Sequence, residues 1–514
     1  MNHSESWISC SLLKHQSDAV QYAKLHWFKK GILADAMGLG KCLTSLAIAD
    51  MWSCKTILIV CPVIVVQHWY QEVSKHTNNV CCLLYHGTKK QETEKLLENK
   101  IPVEQESKCT ILITTYGIVR RSLSNFLFEF KWDCLLLDEA HTIRNTKSKL
   151  FTSVKKLQAE HKICISGTPF NNSHCDIAAL CSFLDLSKFD QKSWWKKATL
   201  QQISAWRQKY LIMRPKNVIE ISPITHHRIV IPSNKYEDSF YNTLLNQASI
   251  DVSSKEKDNN KKLLFQTLLV WILRLRQSCN DPRLILYSME NDNERNALIN
   301  TVLKTIKTEN KNNENGLDYS MIKKGSSKTQ KLIDIVKNKK GKIVVFSQWT
   351  KYLDLIEYGL LDHQILFLRI DGSESTTQKK EKIRKEFETN NNINVLLLSL
   401  HACSVGMNLS FAQTVVLMDQ WYNPIVEQQA IDRVHRIGQI NPVSVYRIIS
   451  TQKIELAIEN IKKKKHNQAQ LLLHNKGSYM LPQEEETFFS LKELSSLFKS
   501  LQSSIQISQQ SQVQ

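Results

Sequence analysis

Three short stretches hold residue types that could handle a phosphate chain. The first, Asp35-Ala36-Met37-Gly38-Leu39-Gly40-Lys41, follows an apolar run at 31–34 and precedes a helix-period segment at 41–51. A strand, a glycine-rich turn and a helix gather backbone N–H groups around phosphates, and a lysine there reaches the outer ones. The second stretch is Leu137-Asp138-Glu139-Ala140-His141, in which adjacent acids end an apolar run. Acids at the carboxyl end of a buried parallel strand face the crevice where such sheets bind ligands. Asp138 is therefore the expected Mg²⁺ ligand, and Glu139 the group that orients or deprotonates a water. Together the loop and the acids predict a site for a Mg²⁺–nucleoside triphosphate.

The third stretch, 428–439, contains Arg433 and Arg436, three apart and so expected on one face of a helix. Two guanidinium groups can answer charge developing on a transferring γ-phosphoryl, an effect of about 10³–10⁵ in rate. Lys41, Asp138, Glu139, Arg433 and Arg436 form the expected catalytic set. A triphosphate held by one half of the chain and capped by the other ties hydrolysis to closure, which is how a motor works.

The elements that must position these residues follow from the apolar runs. Runs at 31–34, 56–61, 80–85, 110–114, 134–137 and 162–165 alternate with helix-period segments, and a second alternation has runs at 342–346, 366–370, 394–398, 414–418 and 443–449. Short apolar runs between helices predict parallel sheets covered on both faces. The expected fold is α/β, with two parallel-sheet lobes and helical insertions between them. The expected boundaries are 1–184, 185–325, 326–465 and a C-terminal extension with a Gln/Ser tail at 466–514. Polar stretches at 253–262 and 290–315 read as loops or linkers.

Composition narrows the class. The 514 residues are 42% hydrophobic and 23% charged, which excludes wholesale disorder. The net charge of +19 favours a polyanionic partner. The longest apolar run, 57–66, is about half of a bilayer span, so no membrane role is expected. No secretory signal is visible at the start of the sequence. Thirteen cysteines without a C-x-x-C pair read as small core residues in a reducing compartment, with no zinc module.

The ordered set GILADAMGLGK (31–41), CPVIVVQHW (61–69), YHG (85–87), TTYG (114–117), LLDEAH (136–141), SGTPFNN (166–172), VVFSQW (344–349), DGS (371–373), VGMNL (405–409) and DQWYNPIVEQQAIDRVHRIGQ (419–439) resembles the Swi/Snf-type ATPases of helicase superfamily two. That resemblance implies two RecA-like lobes, ATP and Mg²⁺ as cofactors, and movement along double-stranded DNA. It also implies nucleosomes or the transcription machinery as partners and a nuclear location, to which the basic run 462–465 would contribute. Gln16 matches the adenine-reading glutamine. Asp35, Met37, Gly38, Leu39, Gly40, Lys41, Cys42, Gly406 and Gln439 fall in nucleotide-binding motifs, and Thr114, Thr115, Ser347, Trp421 and Asn423 in motifs that line the nucleic-acid path. A finer similarity, in LRLRQSCNDPRL (273–284), is to the lodestar-like branch. The small amount of appended sequence resembles the compact viral proteins called global transactivators, for which the location would be the host nucleus.

Some positions depart from the pattern. Cys42 stands where a hydroxyl usually ligates Mg²⁺, so either turnover is slow or Asp138 and the phosphates hold the cation, with a water filling the place. Cys403 and Ser404 replace two glycines, Pro215 an arginine, Asn171 a glutamine and Lys379 an arginine. The leading expectation is a double-stranded DNA translocase that remodels chromatin or DNA-bound proteins. The alternatives are a strand-separating helicase and an ATPase-weakened DNA-binding or partner-binding protein.

Overall fold

The computed structural model describes residues 6–87, 107–121, 126–167, 176–257, 260–287, 298, 301–302, 325–372, 377–400, 407–421, 424–473 and 494–501. They pack as two units, the first built mainly from residues up to Ile221 and the second mainly from Ser222 onward. Among the described residues no helix is long and apolar enough to cross a membrane.

The first unit holds β1 (Lys30–Leu33), β2 (Thr56–Cys61), β3 (Val80–Leu84), β4 (Cys109–Thr115), β5 (Lys131–Asp138), β6 (Gln158–Ile165) and β7 (Leu211–Ile212). All pair in parallel, in the order β3-β4-β2-β5-β6-β1-β7. The continuous apolar runs have a direct cause in strand geometry, which sends successive side chains to opposite faces. Leu58 and Val60 enter one core with the Asp176–Phe183 helix, while Ile57 and Ile59 enter the other with the Lys41–Met51 and Val66–His76 helices. Truncating one such side chain to Ala costs about 2–5 kcal/mol.

The second unit repeats the construction with β8 (Ile224–Ile231), β9 (Ile343–Ser347), β10 (Phe367–Ile370), β11 (Val395–Ser399), β12 (Thr414–Leu417) and β13 (Val443–Ser450). Their order is β10-β11-β9-β12-β13-β8, again all parallel. The α/β class with two parallel sheets is as the apolar runs require.

The interval 185–325, expected to hold mostly helical insertions, also contributes strands. It supplies β7 to the first sheet and β8 to the second, as well as the Lys235–Lys257 and Lys261–Asn280 helices. β8 carries His226, His227 and Arg228 on an edge strand, and such polar alternation hides a strand from any search for apolar runs. The polar stretch 253–262 is helical through Lys257, and Asn260 then caps the next helix through its side chain on the Leu263 amide. Val252 is buried on that helix and the polar residues face outward, so the composition of a solvated face resembles that of a loop. Within 290–315 only Leu298, Thr301 and Val302 are described; they are helical, and Leu298 and Val302 are buried.

Candidate functional site

The loop after β1 is pinned from both sides. Ala34 N–H donates to Ile212 O at 2.7 Å and Ala36 N–H to Arg214 O at 3.0 Å, extending the β7 ladder into the turn. The Asp35 carboxylate, fully buried, accepts from the Arg214 backbone at 3.1 Å, from its Nε at 2.8 Å and from its Nη2. Expected among the nucleotide-binding residues, Asp35 thus has its side chain committed to Arg214 and holds the loop in shape. Gly40 caps the Lys41–Met51 helix at φ +73°, and a Cβ there would sit 2.6 Å from Gln16 Nε2. Gln16 is buried; its Oε1 accepts from Leu13 N–H at 3.0 Å and its Nε2 lies 3.5 Å from Gly40 O. Neighbouring His15 Nε2 is 2.9 Å from Leu39 O. Leu39 is buried, so its contribution to the loop is backbone, whereas Met37 and Gly38 are half-buried.

Lys41 Nζ donates to the carbonyls of Asp35 (3.0 Å) and Ala36 (3.4 Å). Both partners are neutral, which leaves the ammonium's charge available to an anion. Gly167, just past β6, is fixed by close approach, since a Cβ there would lie 2.8 Å from Met37 Cγ and 3.4 Å from Lys41 Nζ. Ser166 Oγ is 3.2 Å from His141 Nδ1, which is 3.3 Å from Glu139 Oε2. Gly167 thus places Lys41 close to the Ser166–His141–Glu139 contacts that lead to the acids.

Asp138 ends β5, opposite Ile165 of β6. Its Oδ2 accepts from Trp69 Nε1 at 2.8 Å, its Oδ1 from Glu139 N–H at 2.9 Å, and its carbonyl from Tyr116 OH at 2.7 Å. Burial and then the Glu139 charge push the Asp138 carboxyl up to about 6, against the hydrogen bond from Trp69 and the Lys41 charge. Glu139 itself sits at φ +49°, a region costly for a residue with a side chain and concentrated at functional sites. Burial, reinforced by the Asp138 charge, also pushes the Cys42 thiol well up, so this neighbour of Lys41 is protonated. Sequence alone assigns no role to the Trp69, Tyr116 or Arg214 side chains. The one local mark at Trp69 is its indole N–H, which needs a partner once buried.

The positions expected along the nucleic-acid path are mostly interior. Thr114 Oγ1 donates to Tyr85 O at 3.1 Å, and Thr115 Oγ1 accepts from Ile118 N–H at 3.3 Å; both residues are buried. In the second unit, buried Ser347 donates to Asp419 Oδ2 at 2.6 Å, and Asp419 also accepts from Gln348 N–H. These hydroxyls organise strand ends. Trp421 is half-buried; its backbone N–H donates to Glu427 Oε1 at 2.9 Å, and the Arg276 guanidinium lies 5.9 Å from its ring and 5.6 Å from that of Trp349. Arg276 also donates to Gln420 O at 2.6 Å. Beside it, Lys328 is paired with Glu455 at 2.6 Å, the two side chains 2% and 3% exposed, and donates to Asn280 Oδ1 and Met418 O.

Arg433 lies in the last turn of the Pro424–Val434 helix, but Arg436 lies beyond its end, so the two do not share a helix face. The chain turns there through Gly438 at φ +96°. Gln439, expected near the nucleotide, is buried and donates to Ala412 O (2.7 Å) and Val434 O (3.2 Å), tying down that turn. Lys462, from the basic run, pairs with buried Glu427 at 2.6 Å. Gly406 and Asn423, like Thr168, Asn171, Cys403 and Ser404, lie outside the described residues.

A phosphate-type loop and an acidic pair at the carboxyl ends of one parallel sheet, in a chain with a second unit of the same construction, define the class of helicase-type ATPases. Residues 15–284 match the SNF2-related domain and residues 327–438 the helicase conserved C-terminal domain. The chain belongs to the SNF2-related family. It is 26% identical over 465 residues to the ATP-dependent DNA helicase DDM1 of Arabidopsis thaliana, covering 83% of this chain and 57% of that protein. It is 29% identical over 449 residues to the ISWI chromatin-remodeling complex ATPase ISW2 of Saccharomyces cerevisiae, covering 83% and 37%. This chain thus spans about half the length of these curated relatives. Among solved structures, the Sulfolobus solfataricus SWI2/SNF2 ATPase core in complex with dsDNA matches with TM-score 0.39 and 22% identity, over 91% of this chain and 94% of that one.

Proposed function

We propose that the chain is a DNA-dependent ATPase that translocates on double-stranded DNA and, by doing so, remodels chromatin or DNA-bound proteins and regulates transcription. The observation that carries this reading is the proximity of the Lys41 ammonium, across Gly167, to the linked Ser166, His141, Glu139 and Asp138. In it, Lys41 and the loop amides hold the phosphates, and Glu139 orients and deprotonates the attacking water. Asp138 offers the hard oxygen that Mg²⁺ prefers, and the Cys42 thiol does not. Bound Mg²⁺–ATP supplies the electrophilic phosphoryl group and neutralises its charge. Arg433 and Arg436 are the groups this reading assigns to charge developing in the transition state.

Double-stranded DNA as partner is supported by the net charge of +19 and by the family. Nucleosomes or the transcription machinery as cargo, and the nucleus as location, follow from relatives such as the chromatin-remodeling ATPase above. The segment 273–284 supports placement in the lodestar-like branch. Displacement of a third strand from a triplex, with ATP and without separation of the underlying duplex, tests the reading. Duplex separation would favour a strand-separating helicase instead. The protonated thiol of Cys42 favours one further reading, a DNA-binding or partner-binding protein with weakened turnover.

A further inference from the structure

The first unit carries an aromatic groove that takes no part in the nucleotide site. It is built on the Lys192–Lys197 and Leu200–Tyr210 helices and the chain that leads into them. Trp195 meets Trp194 and Trp206 edge to face, at 4.8 and 4.9 Å between centroids, and Phe189 meets Trp194 in the same way at 4.8 Å. Trp195 and Trp206 are 1% and 2% exposed, and Trp195 Nε1 donates to Phe189 O at 2.8 Å, so this wall is rigid. Two adjoining hollows of about 570 and 490 Å³ open against it and share Ser187, Lys188, Trp194 and Gln202. Each volume falls in the range of sites that seat a ligand group.

Charge selects the occupant. Residues 185–210 contain six basic residues and two acids. Exposed Lys188, Lys197 and Lys209 line the hollows, and among the described residues no carboxylate pairs with them. The single acid among the described lining residues, Asp185, is already bound by Lys30, Lys155 and Lys162. An anionic partner with an apolar anchor therefore fits, and ring geometry favours a peptide over a nucleic acid. Bases stack on open aromatic faces. Here the rings interlock by their edges, while Lys188 lies over the Phe189 ring (6.0 Å) and Lys209 over that of Tyr210 (5.3 Å).

We propose that this groove docks an acidic peptide segment of a partner protein, with one bulky apolar side chain seated against Trp194 and Trp206 and its carboxylates on Lys188, Lys197 and Lys209. The test uses a labelled peptide of about twelve residues, Glu and Asp flanking a single Phe, titrated into the full chain and read by anisotropy. Binding is expected, weakened at least about tenfold by Lys188→Glu with Lys197→Glu, by Phe→Ser in the peptide, or by raised salt. ATP turnover should be unchanged in the lysine variant, whose substitutions are on the surface and cannot remove the aromatic core. Trp194→Ala is the second variant, checked by its melting temperature. No binding, or binding that ignores these changes, overturns the proposal. So does loss, in the lysine variant, of binding to a single-stranded oligonucleotide of equal length while peptide binding persists, because the groove would then serve nucleic acid.

Discussion

Asp138→Asn should make the protein without metal or nucleotide more stable while removing its activity. The folded carboxyl holds its proton up to about pH 6, against 3.8 ordinarily. The folded state therefore binds more protons than the unfolded chain between these values, and stability is lost as pH rises through that window. Two units correspond to about 3 kcal/mol of strain in the ionised form. Residual solvent contact at this half-buried residue reduces that to about 2 kcal/mol. An amide cannot accept from both Trp69 and Glu139 N–H as a carboxylate does, which forfeits about 1 kcal/mol. The net gain is about 1 kcal/mol, or about 2–4 °C in melting temperature for a unit of this size. Thermal unfolding followed by tryptophan fluorescence in EDTA at pH 8 and pH 4 measures it. The variant should melt above the parent at pH 8 and lose that lead at pH 4, where the parent carboxyl is protonated. A parent that melts higher at pH 8, or a gap independent of pH, would refute the reasoning.

Other outcomes follow from the same geometry. Gly167→Ala crowds Met37 and brings a methyl group against the Lys41 ammonium, and should raise KM for ATP about three- to tenfold in steady-state assays with little change in melting temperature. Lys328→Met leaves Glu455 buried without its cation and should cost about 3–5 kcal/mol in urea unfolding, most of it recovered when Glu455→Leu is added. Cys42→Thr supplies the hard ligand that Mg²⁺ prefers, so Mg²⁺-dependent turnover should rise; an unchanged rate would show that Asp138 and the phosphates suffice.

Much of this architecture is legible in the sequence because buried parallel strands read as apolar runs, and eleven such runs fall on strands of the two sheets. The placement of the glycine-rich turn after β1 and of Asp138 at the end of β5 is legible because both directly follow apolar runs. What is hidden depends on distant partners. β8 is an edge strand with histidines, and β7 is two residues long, so neither makes an apolar run. The commitment of Asp35 to Arg214, 179 positions away, and of Lys328 to Glu455, 127 away, has no local mark. The same holds for the Thr114, Ser347 and Gln439 side chains, whose motif positions suggest ligands while their hydrogen bonds close strand ends and turns. Arg436 illustrates the boundary problem, since spacing alone cannot say that a helix stops at Val434.

In the proposed function the chemistry of the nucleotide site answers to duplex DNA. ATP turnover measured with and without duplex DNA tests it, with Glu139→Gln alongside. Duplex should raise turnover several-fold, and Glu139→Gln should bind ATP yet stay silent under both conditions. Turnover indifferent to DNA, or surviving in Glu139→Gln, would contradict it.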